Sequence, residues 1–234
     1  MILSIAWLEW LVHIAGYELM LFASIGTLLT GLDDLLFDIR WILTPRRPSP
    51  LLRVDAPEID GCIAIFVAAW EEAFVLPAML RRALAGWDGE DFRIYVGCYP
   101  NDAATLFAIS QLVAVDRRLR LVIGADDGPT TKGDNLNSMW AGLGADERGQ
   151  GRRFAAIVLH DAEDYVHAGE LALYRRTLVD HAMVQIPVVP FLDEGAAWIG
   201  GHYGDEFAEA HGKELALRSG LGLPIPSAGV GCAL

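Results

Sequence analysis

The stretch "CIAIFVAAW", Cys62–Trp70, runs nine residues without a charged or hydrogen-bonding aliphatic side chain. A strand with one face in water alternates apolar and polar residues. A run of strand length that is apolar throughout is buried on both faces, as in a parallel sheet covered by helices on each side. The segments that follow keep that pattern. "EEAFVLPAMLRRALAG" reads as a helix closed by Gly86, and "FRIYVGC", Phe92–Cys98, as a second strand. "NDAATLFAISQLVAVD" opens with Asn101 or Asp102 as a cap and spaces its apolar residues helically. "LRLVIG", Leu119–Gly124, is a third strand, and "FAAIVLH", Phe154–His160, a fourth. Between them, "KGDNLNSMWAGLG" is expected to place Leu136, Met139, Trp140 and Leu143 on one helical face. The order β-α-β-α-β-α-β predicts an α/β fold with a mainly parallel sheet and helices on both faces.

In such sheets ligands gather beyond the carboxyl ends of the strands. Here those edges carry Trp70, Glu71 and Glu72, then Gly97–Asp102, then Gly124–Lys132, then His160–Asp164. The last edge, "HDAED", concentrates acid. Residues two apart in a strand share a face, so Asp161 and Glu163 present carboxylates to one point, and a turn after Asp161 brings in Asp164. Clustered carboxylates repel unless something positive joins them. Mg²⁺ and Mn²⁺ prefer oxygen ligands, and Mg²⁺ is commonly held by one or two carboxylates plus substrate phosphates. The competing reading makes Asp161 a cap for the helix "AGELALYRRTL" and leaves Glu163 and Asp164 solvated. A further reading uses His160 with Asp161 as a mixed metal site for phosphate hydrolysis.

"DDGPTTKGDNLN", Asp126–Asn137, is a loop entering a helix. Glycine and threonines permit close backbone approach, the helix start offers N–H groups, and Lys132 adds a point charge, an arrangement suited to a diphosphate. The G-x-x-x-x-G-K-[ST] spacing of a Walker loop is absent.

The N-terminal fifth is different. Leu11–Leu32 is 22 residues of mostly apolar sequence, which as a helix reaches about 33 Å, the thickness of a bilayer's hydrocarbon core. His13 and Glu18 oppose a span; Trp7, Trp10 and Trp41 and a mean hydropathy of +0.32 support one. Lys and Arg are missing before Arg40, so the positive start of a secretory signal is lacking, while Arg40, Arg46, Arg47 and Arg53 follow the span. That asymmetry predicts a single-pass protein with its following domain in the cytoplasm. "GLDDLLFDIRWIL" reads as a separate short helix at the interface and "TPRRPSP" as a rigid linker. Residues 1–53 are thus expected to form the membrane part and 54–234 the domain. The formal net charge of −13 excludes nucleic-acid binding by phosphate neutralisation and argues against a membrane-surface role for the domain. Cys62, Cys98 and Cys232, odd in number and far apart, suggest reduced thiols.

Taken together, the edges resemble the family 2 glycosyltransferases of GT-A fold. "FVAAWEE" is similar to the family's P-x-Y-N-E strand end, with Trp70 at the aromatic and Glu72 near the acidic position. "GCYPNDAAT" stands where the family has its acidic DDGSTD loop and keeps Asp102. "TTKGDNLN" matches G-K-x-x-A-L-N through Lys132, Leu136 and Asn137, and "HDAED" stands at the D-x-D motif. Within the family, "VGCYPNDAAT", "GPTTKGDNLN", "VLHDAEDYVH" and "IPSAGVGCA" are most similar to a membrane branch, the bacteriophage-adsorption protein B-like inner-membrane proteins.

The resemblance implies a nucleotide-diphospho-sugar donor bound through Trp70, Glu72, Asp102, Lys132 and Asn137. It implies Mg²⁺ or Mn²⁺ on Asp161, Glu163 and Asp164, a bacterial inner-membrane bilayer around the helix, and an envelope polysaccharide-export or outer-membrane partner. Two departures stand out. The aspartate that would meet a uracil ring is replaced around Gly97 and Cys98. The family's T-E-D-like base motif and its Q-x-x-R-W-like motif have no counterpart, so a longer native chain is expected, with Asp205 and Glu206 the available substitutes for the base. These departures keep open a non-catalytic receptor or structural component on the same fold.

Overall fold

The computed structural model describes residues 2–45, 57–192, 195 and 197–234. The expected linker residues 46–53, among them Arg46, Arg47 and Arg53, and the boundary at Val54 lie outside the described residues. The chain divides into two compact units, Met1–Arg47 with Ala208–Pro224, and Pro48–Phe207 with Ile225–Leu234.

The first unit is built on α1 (Ile2–Leu43), a helix of 42 residues and about 63 Å at 1.5 Å per residue. The separate interfacial helix expected after Leu32 does not form. Nothing between Ile2 and Thr44 is a proline, and Gly31, at the expected break, costs a helix only about 1 kcal/mol, as do Gly16 and Gly26 before it, so the run continues unbroken. Trp7–Leu43, with mean hydropathy 1.5, is long and apolar enough to cross a membrane. A π-helical turn (Ala208–Glu214) and α7 (Leu215–Gly220) join it. Lys213 donates to Asp38 at 2.6 Å and to Glu209 at 2.7 Å, and the Arg218 guanidinium lies 5.7 Å from the centre of the Phe37 ring.

The second unit alternates strands and helices: β1 (Ile63–Ala68), α2 (Leu76–Gly86), β2 (Phe92–Cys98), α3 (Ala103–Val113), β3 (Leu119–Ile123), α4 (Lys132–Gln150), β4 (Ala156–His160), α5 (Glu170–Thr177), β5 (Val184–Gln185), α6 (Ala197–Phe207) and β6 (Cys232–Ala233). The sheet order is β3-β2-β1-β4-β6-β5. β1 pairs in parallel with β2 and β4, and β2 with β3, whereas β6 runs antiparallel to β4 and β5. The two short C-terminal strands had no periodic signal, because two residues are too few to show one.

The double burial read from Cys62–Trp70 is realised in β1. Ile63, Ile65 and Val67 face a core shared with Leu76 and Leu80 of α2, Ile109 of α3 and Leu171 of α5, while Ala64 and Phe66 face Met139 and Leu143 of α4. Trp140 departs from expectation. It is 60% exposed, since one residue beyond buried Met139 turns the side chain about 100° around the helix. Helix α2 starts at Leu76, with a proline in its first turn, rather than at Glu71.

Behind the sheet, buried Asp146 of α4 receives Arg120 through both carboxylate oxygens (2.6 and 3.1 Å), Arg93 at 3.2 Å and the Tyr95 hydroxyl at 3.0 Å. Arg175 of α5 does comparable service at the entrance to β1. It donates to Glu90, to the Gly61 carbonyl and to the Asp91 carbonyl at 2.8–2.9 Å, while Ile59 donates its amide to the Arg175 carbonyl at 3.0 Å.

Candidate functional site

Four loops meet at the carboxyl edge of the parallel strands. The loop after β1 is held by Asp102, the side-chain cap of α3. Its Oδ1 accepts the Thr105 amide at 3.1 Å and its Oδ2 the Glu71 amide at 2.7 Å. Burial works to raise the Asp102 pKa, but these hydrogen bonds outweigh it and hold the carboxyl below its ordinary value. Glu71 is the described non-glycine residue with positive φ, at 60°. Asp102 is thus buried with both oxygens hydrogen-bonded to backbone amides, and it shapes the β1 edge.

Trp70 and Tyr99 meet edge to face at 5.3 Å. The loop after β3 crosses them so closely that a Cβ on Gly128 would fall 2.5–2.6 Å from both rings. Asn101, exposed in the loop after β2, fixes that crossing. Its Oδ1 accepts the Gly128 amide and its Nδ2 donates to the Gly128 carbonyl, each at 2.8 Å. Tyr99 Oη and Thr130 Oγ1 share a further hydrogen bond at 3.0 Å. Beside this clamp a cavity of about 190 Å³ is bounded by Cys98, Tyr99, Gly124, Asp126, Asn135 and Asn137. Asn135 donates through Nδ2 to the Gly97 carbonyl at 3.0 Å, and its buried Oδ1 has no hydrogen-bond partner. The side chain fits only because residue 97 is glycine; a Cβ there would lie 1.8 Å from that oxygen.

The start of α4 is closed by a capping box. Thr131 Oγ1 accepts the Asp134 amide and Asp134 Oδ2 accepts the Thr131 amide, both at 3.1 Å. An acid therefore stands where the helix start was expected to receive a diphosphate, and the positive group nearby is the side chain of Lys132. Its ammonium contacts Asp161 Oδ1 and donates to the Gly229 carbonyl at 3.0 Å.

After β4 the acids separate into two sets. The chain turns after His160; Ala162 is 2% exposed and belongs to the core, Asp161 meets Lys132 at the edge, and Glu163 is exposed. Burial, then the charges of Glu163, Asp102 and Asp161, raise the Glu72 pKa above its ordinary value, which places Glu72 in the same negative field. Asp164 turns the other way. Its Oδ2 lies 2.8 Å from His160 Nδ1 and accepts the Asp161 amide at 3.0 Å, so the expected third metal ligand is engaged within the turn. His160 Nε2 lies 2.8 Å from Glu170 Oε1. Burial opposes charge on that ring, but its hydrogen bonds to the Asp164 and Glu170 carboxylates outweigh it and raise its pKa to about 9. With both nitrogens taken and 4% exposure, His160 has no lone pair to offer a metal, which removes the hydrolase reading. The helix-cap reading of Asp161 also fails, because α5 is capped at Gly169. His167 is exposed and accepts the Gly169 amide at 3.0 Å. Asp205 and Glu206 are exposed on α6.

Asn135 and Glu170 were missed, and so were the parts that Asn101 and Gly97 play. Asn101 was placed at the edge as a helix cap, but the partner that uses it lies 27 residues away. Asn135 read as an ordinary helix residue, and Gly97 as a departure from the family, until β2 and α4 are packed.

Among known proteins, residues 60–234 match the family described as glycosyltransferase like family 2. The chain is 35% identical over 213 residues to bacteriophage adsorption protein B of Escherichia coli strain K12 and to bacteriophage N4 adsorption protein B of E. coli O157:H7, covering 87% of this chain and 28% of each relative. Solved structures similar to it include the mannosyltransferase PcManGT from Pyrobaculum calidifontis in complex with GDP-Man and Mn²⁺, with TM-score 0.46, 16% identity and coverage of 82% of this chain and 55% of that one. Glucosyl-3-phosphoglycerate synthase from Mycobacterium tuberculosis with UDP gives TM-score 0.43, 15% identity and coverage of 81% and 62%. With the family match spanning all four site loops and everything that follows them, the chain belongs to glycosyltransferase-like family 2 and its second unit has the α/β sheet of that family's GT-A fold.

Proposed function

We propose that the chain is the membrane-anchored donor-binding part of a glycosyltransferase that moves a sugar from a nucleotide-diphospho-sugar to an acceptor. The observation that carries this is the edge itself: Glu72, Asp161 and Glu163 share one negative field, and Lys132 lies on Asp161. The donor set is all oxygen, as hard divalent cations require. Among the described residues no three ligand-type side chains are arranged to hold a metal alone. Asp161 and Glu163 would therefore bind Mg²⁺ or Mn²⁺ together with the substrate's phosphates and water, which suits Mg²⁺ in particular. The cation would supply Lewis-acid stabilisation of the diphosphate leaving group.

The chain's own residues do the rest. Lys132 exchanges its contact with Asp161 for the diphosphate and neutralises charge that develops there. Trp70, Tyr99 and the Gly128 loop hold the base-side wall, and Asn137 lines the cavity beside it. Asp102 keeps the Glu71–Glu72 turn in place. The helix Trp7–Leu43 anchors the chain in the inner membrane with the second unit in the cytoplasm, as the arginines after the span favour.

A second reading has an observation of its own. Asp205 and Glu206, the substitutes for a base, are solvent-exposed on α6, and the curated relatives are named for phage adsorption. On that reading the unit is a non-catalytic envelope receptor with a polysaccharide-export or outer-membrane partner. Titration of Mn²⁺ and nucleoside diphosphates into the detergent-solubilised chain separates the two. Metal-dependent nucleotide binding that Asp161→Ala abolishes supports the transferase, and its absence in the folded wild-type protein leaves the receptor.

A further inference from the structure

His160 ends β4 at the point where the chain turns into the acid pair, yet it faces away from the edge. Its ring is buried, 6.0 Å from the Trp87 ring centre and tilted 37° to it. Each nitrogen is 2.8 Å from a carboxylate, Asp164 on one side and Glu170 on the other. Both ring nitrogens are thereby taken up, and the ring joins the two acids. Glu170 is 3% exposed and is the first residue of α5, where a helix end favours negative charge. Asp164 carries the arrangement forward. The same oxygen that meets His160 accepts the Asp161 amide at 3.0 Å, and the Asp164 amide returns to the Asp161 carbonyl at 3.3 Å. The turn Asp161–Asp164 is thus closed from beneath, with Ala162 seated in the core.

We propose that His160, through Asp164 and with Glu170 behind it, is a positioning residue that fixes the turn Asp161–Asp164 so that the carboxylates of Asp161 and Glu163 point together at the strand edge. The inference rests on the reading of Asp161 and Glu163 as the cation-binding pair. Outer partners of metal ligands typically contribute 10- to 100-fold to affinity by fixing ligand orientation. Here that orienting contact runs through a main-chain amide as well as a side chain.

The test compares the full chain in detergent with His160→Gln and with His160→Gln/Glu170→Gln, the second of which leaves no unpaired buried charge on the α5 side and keeps the fold testable if the single variant does not fold. Two quantities are read in protein that melts cooperatively: hydrogen exchange of the Asp161 amide, and Mn²⁺ affinity by electron paramagnetic resonance. The expected result for the double variant is exchange at Asp161 at least tenfold faster and Mn²⁺ binding about 10- to 100-fold weaker. A structural role alone would shift the melting temperature and leave both readings at wild-type values in the folded variant, which overturns the proposal. If the wild-type protein binds no Mn²⁺, the cation reading fails, and the exchange of the Asp161 amide alone decides whether His160 fixes the turn.

Discussion

Lys132 and Asp161, 29 residues apart, are joined at the strand edge by an ammonium–carboxylate contact that also reaches the Gly229 carbonyl. On the proposed reading of Asp161 as a cation ligand, the lysine occupies the charge position that the divalent ion would take, and the two would compete for Asp161. An exposed pair of this kind is worth about 1 kcal/mol. Lys132→Met is therefore expected to tighten Mn²⁺ binding about fivefold without nucleotide and to weaken nucleoside-diphosphate binding with Mn²⁺ present. Calorimetric titrations in both orders check this, and unchanged Mn²⁺ affinity would show that Lys132 does not compete.

The Asp102–Glu71 contact makes a paired prediction. Removing the carboxylate frees the Thr105 and Glu71 amides, so Asp102→Ala should cost about 2–3 kcal/mol. Glu71→Gly should gain roughly 1 kcal/mol, because glycine meets no penalty at a φ of 60°. Urea unfolding of the two variants measures both, and a destabilised Glu71→Gly would contradict the strain assigned to that turn.

Gly97 and Asn135 should be coupled. Gly97→Ala places a methyl 1.8 Å from Asn135 Oδ1, an overpacking expected to cost about 1–3 kcal/mol. Asn135→Ala should recover much of that loss in the double variant, as a double-mutant cycle will reveal. Additive losses would mean that the clash is relieved by backbone movement instead.

Asp146 predicts a pH dependence. Burial alone would raise its pKa, but hydrogen bonds from Arg120 and Tyr95 and the charges of both arginines hold it below the ordinary 3.8. A depressed carboxyl contributes stability that is present above about pH 4 and is lost as pH falls through the folded value. Asp146→Asn should lower stability near neutrality by about 2–3 kcal/mol, since Arg120 is half exposed and can turn to water. Wild type and variant should converge as pH falls below the folded value; a constant gap across the acid range would refute the assignment.

How much of this could be read in advance depended on the range of each interaction. The strands showed themselves because Ile63–Val67 are buried on both faces, and that leaves a mark in a few consecutive residues. The acid edge was legible as a cluster, since Asp161, Glu163 and Asp164 are neighbours in sequence. Its division was not. Asp164 turns inward because of His160 and Glu170, and nothing in "HDAED" specifies where a residue six positions further on, at the start of α5, will come to lie. The Trp140 error has the opposite origin: apolar spacing identifies a face but not its width. The early break expected in α1 came with sizing the span to a bilayer and reading the amphipathic stretch after it as a separate helix, whereas helices end at prolines and caps, and α1 meets none before Thr44.

Arg175 has a mechanical meaning. Ile59 and Gly61, which precede β1, are both tied to this one residue of α5, with Glu58 held by its neighbour Arg176 at 2.8 Å. Tension arriving along the chain would be met by these bonds and passed to α5 and to the Glu90–Asp91 turn, so the ladder between β1 and its neighbours would carry load only after the arginine let go. The strand that supports the Trp70–Glu72 edge is in this way isolated from whatever pulls on the segment before it.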